Sequence, residues 1–152
     1  MYDKFVIDSK MNMLFMGNTG SGKSHLAVAF LRNIIKTGTT HCIFQNVSEF
    51  MMYLRNTFAD PNETDTEKNI VDRYTALKLL ILDDMGAEKP TEYCERIVYS
   101  IINKRLNDQK KTIITTNLTL PEIGELYGVR VESRLSTYKS IEFKGVDHRK
   151  TK

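Results

Sequence analysis

Short apolar runs alternate along the chain with longer stretches in which apolar residues recur every three or four positions. Residues 12–16, Asn-Met-Leu-Phe-Met, form a compact apolar run that stops at Gly17 and predicts a buried strand. Over residues 24–36 the apolar positions Leu26, Phe30, Leu31, Ile34 and Ile35 follow helical spacing, and Gly38 ends the element. Residues 41–45 predict a second strand. Ser48 is then placed to N-cap a helix carrying Phe50, Met51, Tyr53, Leu54 and Phe58. Residues 60–65 are polar, contain the first proline and predict a loop, with a short helix near 67–77 beyond it.

The run Leu79-Leu80-Ile81-Leu82 ahead of Asp83 predicts a third strand, apolar without alternation as in strands covered on both faces. Pro90 and Thr91 open a helix running to about residue 107, and 112–116 predict a fourth strand. Thr119 and Glu122 have capping-box spacing at the start of a short helix that Gly128 ends. A further helix over 129–136 and a fifth strand over 139–144, with Ile141 and Phe143 alternating, complete the pattern. Strands separated by helical crossovers imply an α/β fold with a mostly parallel, doubly wound sheet. The expected organisation is a lead-in over 1–11, one domain over 12–146 and a basic tail over 147–152.

Composition narrows the class without naming a function. The 152 residues are 41% hydrophobic and 27% charged, which excludes a disordered chain, a collagen-like fibre and a disulfide scaffold. Twenty-two Lys and Arg against 19 Asp and Glu give a net charge of +3, a value that a mixed solvated surface also gives. Cys42 and Cys94 form no paired spacing, as expected of a reducing compartment. No apolar stretch is long enough to span a bilayer, so a cytoplasmic protein without a membrane partner is expected.

The chemistry concentrates at strand ends. Gly17-Asn18-Thr19-Gly20-Ser21-Gly22-Lys23-Ser24 satisfies GxxxxGK[ST] between a buried strand and a helix, where a phosphate-binding loop needs it. Glycines let the backbone curl its N–H groups toward phosphate oxygens, and the helix N-terminus adds partial positive charge. Lys23 suits the β- and γ-phosphates, and the Ser24 hydroxyl suits Mg²⁺. Asp83 and Asp84 end the third strand at the sheet's carboxyl edge, where ligands of such folds bind. There Asp83 is placed to hold Mg²⁺ and Asp84 to polarise an attacking water.

Asn117 ends the fourth strand and would lie beside these aspartates if the two strands are neighbours, although asparagine there also fits a plain turn. Arg130 and Arg134 share one helix face. Such a pair fits an arginine finger for a neighbouring subunit's γ-phosphate. The residues alone favour side chains that are solvated or paired with Glu132, Glu125 or Glu122.

In this order the four signals resemble an AAA+ ATPase core with Walker A, Walker B, sensor 1 and a box VII arginine. The wording NMLFMGNTGSGKSHL (12–26), LLILDDMGAEKPTE (79–92), IITTNL (113–118) and GVRVESRL (128–135) is similar to the bacterial helicase-loader family of DnaC/DnaI type. It is also similar to the IstB-type transposition helper ATPases, as is the ending IEFKGVDHR (141–149). The resemblance implies a P-loop NTPase fold with five parallel strands sandwiched by helices and no C-terminal lid. It implies ATP or ADP bound by residues 17–25, His25 included, Mg²⁺ at Ser24 and Asp83, sensor 1 at Asn117, and a finger at Arg134 with Arg130 as a second family arginine. A finger acts in trans, so self-association is implied, with single-stranded DNA and a hexameric replicative helicase as partners.

The resemblance also points to DNA contact near residues 55–74, where Arg55, Lys68 and Arg73 offer charge and Phe58 and Tyr74 offer stacking surfaces. Asp84 stands where many AAA+ proteins carry glutamate, and its shorter side chain predicts slow hydrolysis. About ten residues precede the first strand, fewer than the N-terminal helicase-binding domain of the loaders requires. Helicase loaders and transposase helpers share this core, so the client is open between helicase and transposase. A small-molecule kinase and an adaptor that binds ATP without turning it over are the competing classes.

Overall fold

The computed structural model describes residues 12–59 and 64–144. The expected lead-in over 1–11, the tail over 147–152, part of the loop over 60–65, the end of the 141–149 segment and the Phe58 side chain lie outside the described residues. Five strands, β1 (Met13–Gly17), β2 (Cys42–Asn46), β3 (Leu79–Met85), β4 (Lys111–Thr116) and β5 (Lys139–Phe143), form one parallel sheet in the order β2-β3-β4-β1-β5. The helices are α1 (Lys23–Lys36), α2 (Val47–Ala59), α3 (Glu67–Ala76), α4 (Glu92–Asn107), α5 (Leu120–Tyr127) and α6 (Val129–Leu135). No described helix is long and apolar enough to cross a membrane.

Period-2 geometry sorts the strand residues even though the strands read as continuous apolar runs. Met13, Phe15, Leu79, Ile81 and Ile113 face α1, where they pack with Ala27 and Phe30. Leu14, Leu80, Leu82 and Ile114 face the other side and pack under α2 to α6. Phe15, fully buried, sits between Phe30 and Phe143 with ring centroids 6.0 and 5.4 Å away. The sheet is thus covered on both faces, as the unbroken apolar pattern predicts.

Most expected elements match to within a residue or two, and the differences have local causes. The second helix starts at Val47, directly after β2, and Asn46 rather than Ser48 serves its first turn, with Oδ1 accepting from the Glu49 N–H at 3.2 Å. Thr66 and Thr91 cap α3 and α4 by accepting from the N–H of Asn69 and Cys94. The Glu122 carboxylate accepts from the N–H and the hydroxyl of Thr119 at 2.7 and 2.8 Å, closing the first turn of α5. The third strand runs two residues beyond Asp83, because a bulge carries it past the acidic pair to rejoin β4 at Met85.

Arg105, near the end of α4, is fully buried. Its guanidinium donates to the carbonyls of Tyr74, Thr75, Leu77 and Lys111 and to the Thr112 hydroxyl. One side chain thereby ties the last turn of α3 to the first residues of β4. Burial pulls its pKa down to about 10.

Candidate nucleotide-binding site

Strand order decides what meets at the carboxyl edge of the sheet. With β4 between β1 and β3, the loop after β1 lies beside the ends of both other strands. Lys23 opens α1 and is 6% exposed; its Nζ donates to the carbonyls of Gly17 and Asn18 at 2.6 and 2.8 Å and to Asn117 Oδ1 at 2.8 Å. Ser24 Oγ donates to Asp83 Oδ1 at 2.7 Å. Residues 94 and 59 positions apart are joined in one hydrogen-bonded cluster.

The loop between them fits a polyphosphate. Gly17 has φ +142°, and a Cβ there would stand 2.4 Å from the Phe143 carbonyl oxygen, so β5 excludes any side chain. Gly22 caps α1 with φ +96°, and the space beside it is open. The first turn of α1 has no side-chain cap and no acidic residue, which leaves its N–H groups to an anion. The Ser21 hydroxyl is buried with no hydrogen-bond partner, an orphan that a phosphate oxygen would satisfy.

Asp83 is 9% exposed, and its Oδ1 accepts from Ser24 and from the Thr115 hydroxyl, each at 2.7 Å. Asp84 is half-buried with φ +60°, a left-handed conformation that aspartate tolerates better than most residues. Among the described residues, no group bonds its carboxylate. Asn18, Thr19 and Gly20 complete the loop. His25 is exposed on α1 and lines a groove with Ser24, Val28, Ala29 and Arg32.

Arg130 and Arg134 do share a face of α6, but that face lies against α4, not against the loop. Arg130 Nη2 donates to the Tyr99 hydroxyl at 3.2 Å, with its guanidinium carbon 4.4 Å from the ring centroid. Arg134 Nε donates to Asn103 Oδ1 at 2.8 Å. Side chains of α4, not Glu132, Glu125 or Glu122, receive them. Among the DNA-contact candidates, Tyr74 is a correction. It is buried 4.3 Å from the Phe50 ring with its hydroxyl donating to Gln45 Oε1, because the helical stripe of α3 turns it inward. Arg55, Lys68 and Arg73 are all exposed; Arg73 is engaged by Asp65 and by the Tyr53 hydroxyl, and Arg55 Nε donates to the Met51 carbonyl.

Residues 4–133 match the family model described as IstB-like ATP binding protein. The chain belongs to that family. Replicative helicase loader DnaC of Escherichia coli (strain K12) is 27% identical to the IstB-like chain over 130 residues, 86% of this chain and 52% of the relative. The chain thus spans about half the length of the curated relatives it matches. A crystal structure of the DnaC helicase loader superposes with TM-score 0.77 at 25% identity, covering 93% of this chain and 83% of that one. Replication initiator DnaA bound to AMPPCP and single-stranded DNA gives TM-score 0.77 at 20% identity, covering 91% and 42%. The IstB-like chain is an α/β P-loop protein with an AAA+ core of DnaC type.

Two residue roles escaped the sequence. Thr115 bonds across to Asp83 and Asp84 and Thr116 to the Met85 carbonyl beside them, yet in sequence they read as ordinary strand threonines. The fully buried Arg105 carries no sequence signal beyond its place on the helix.

Proposed function

We propose that this chain binds and hydrolyses ATP as a nucleotide-controlled switch in DNA replication, of the helicase-loader type, and assembles on single-stranded DNA. The cluster that joins Lys23 to Asn117 and Ser24 to Asp83 carries the reading. It puts a cation, a hydroxyl, a carboxylate and an amide at one strand edge beside an uncapped helix N-terminus. Lys23 and the amides of the 17–24 loop would bind the triphosphate, and Ser24 and Asp83 would hold Mg²⁺, which neutralises charge developing on the phosphates. Asp84 would polarise the attacking water, with Asn117 orienting it. Its side chain is one methylene shorter than glutamate, so turnover is slow.

Arg134 would complete the site of a neighbouring subunit, with Arg130 beside it. The arginines lie on α6 away from their own loop, which supports action in trans. Arg55 and Lys68, with the 41%-exposed Tyr53, offer charge and stacking surface to single-stranded DNA. The relatives named as replicative helicase loaders support a replicative helicase as client, and the chain would act in the cytoplasm. The domain would span residues 12–146.

The family match supports a second reading, a transposase helper ATPase with the same core and another client. Size and turnover measured together test the proposal. ATP with single-stranded DNA should convert the chain to a larger species that releases phosphate faster than the chain with ATP alone. A species that binds ATP yet neither assembles nor hydrolyses it would reduce the chain to an adaptor. Co-purification with a hexameric helicase or with a transposase separates the two clients.

A further inference from the structure

The bulge at the end of β3 poses a hydrogen-bond problem that β4 solves with side chains. Leu82 is in register with Ile114, but the next paired residue, Met85, is in register with Thr116. Asp83 and Asp84 therefore both oppose Thr115, two residues against one, which takes Asp84 out of the ladder and turns its backbone to φ +60°. A backbone N–H displaced from its ladder needs another acceptor. The Thr115 hydroxyl accepts that N–H at 2.9 Å and donates its own proton to Asp83 Oδ1 at 2.7 Å. One residue on, the Thr116 hydroxyl donates to the Met85 carbonyl at 2.7 Å and accepts from the Leu118 N–H at 3.1 Å. Both threonines are essentially inaccessible to solvent, so water does not compete for these bonds.

We propose that Thr115 and Thr116 are positioning residues for ATP hydrolysis, a clamp that holds Asp84 in its left-handed turn and fixes the Asn117 loop to the same bulge. Thr115 ties the Asp83 carboxylate and the Asp84 backbone to one hydroxyl, so the metal-side and water-side aspartates move as a unit. Thr116 ties the turn containing Asn117 to Met85, one residue past Asp84. The distance between the water-polarising carboxylate and the orienting amide is thereby set by two hydroxyls of β4. Valine in either place keeps the shape and β propensity of the strand and removes the bonds.

The inference rests on the hydrolysis reading, so its test has one arm that needs no turnover. In the first arm, amide hydrogen exchange is followed at Asp84 in the full chain. The amide should be protected in the wild type, exchange at least about tenfold faster in Thr115→Val, and regain protection in Thr115→Ser, as expected when one buried hydrogen bond of ordinary strength is lost and restored. An Asp84 amide that exchanges equally in all three overturns the clamp.

In the second arm, single-turnover ATP hydrolysis and the affinity for a fluorescent ATP analogue are measured on the same proteins. Thr115→Val should lower the hydrolysis rate about 10- to 100-fold, as expected when a reacting group is misplaced by an ångström or less. Nucleotide affinity measured without Mg²⁺, to which Asp83 makes no contribution, should stay within about twofold, and Thr115→Ser should restore the rate. Thr116→Val should behave as Thr115→Val does. A merely structural threonine would lower affinity and rate together, and that result, or an unchanged rate, overturns the positioning role. A wild type that binds the analogue and never hydrolyses ATP overturns the hydrolysis reading itself and the catalytic use of the clamp with it.

Discussion

Replacing Arg105 with methionine removes all five hydrogen bonds of a side chain with no exposed surface. Four of the acceptors are backbone carbonyls, three at the end of α3 and one at the start of β4. The Thr112 hydroxyl keeps a long contact to the Lys110 carbonyl at 3.4 Å and suffers least. Each buried acceptor left without a donor costs about 1–3 kcal/mol, at the lower end where water or a shift of the chain supplies a substitute. Against this, the variant no longer buries a guanidinium without a carboxylate partner, which returns a few of the several kcal/mol that desolvating such an ion takes. The net expectation is a loss of about 3 kcal/mol, equivalent to a fall of about 6–12 °C in Tm for a chain of this size. Urea unfolding followed by far-ultraviolet circular dichroism reads it as a lower midpoint with unchanged slope. Arg105→Lys keeps the charge but not the planar fork and should fall between the two. A loss below about 1 kcal/mol for Arg105→Met would mean that the carbonyls find other donors at little expense and that the buried fork is not what holds α3 to β4.

Lys23→Ala should weaken ATP binding by at least about tenfold, the loss of one charge-assisted contact, while the chain still folds; unchanged affinity would remove the phosphate role. Arg134→Ala should leave ATP affinity intact and lower the turnover that depends on assembly, and full assembled activity in this variant would move the finger to Arg130 or remove it. Stability should fall as the solution is made alkaline. Burial pushes the Cys94 thiol from 9.0 up to about 11 and the Tyr93 hydroxyl from 10.0 up to about 12. The unfolded chain gives up these protons first, so stability present below pH 9 is lost progressively between about pH 9 and 12. A urea midpoint that stays flat across that window would contradict the burial of both groups.

The parts whose physics is local are legible from residue type and spacing alone. The glycines and the Lys-Ser pair of the 17–24 loop must occur together for a chain to curl around phosphate, so they are legible without a fold. Strand and helix periods placed all eleven elements of the described residues, because burial of one face imposes the period directly. The sharing of a face by Arg130 and Arg134 likewise follows from helix geometry alone.

Which strand ends are neighbours is settled by the packed fold, and the contacts that depend on it follow from there. On spacing alone Asn117 fits a plain turn as well as a site residue, and the seating of β4 between β1 and β3 brings it to Lys23. Asp84 takes its left-handed conformation from a bulge, which is a relation between two strands and not a property of either. Thr115, Thr116 and Arg105 satisfy backbone groups about 30 positions away, and a hydroxyl or a guanidinium carries no mark in sequence of the distant carbonyl or amide it will meet. Tyr74 shows the converse: its type suits stacking on a base, but the packing of α3 gives that surface to Phe50. Local conformational demands are written in residue type and spacing. The pairing of distant polar groups is written only in the packed chain, where desolvation forces each to find a partner.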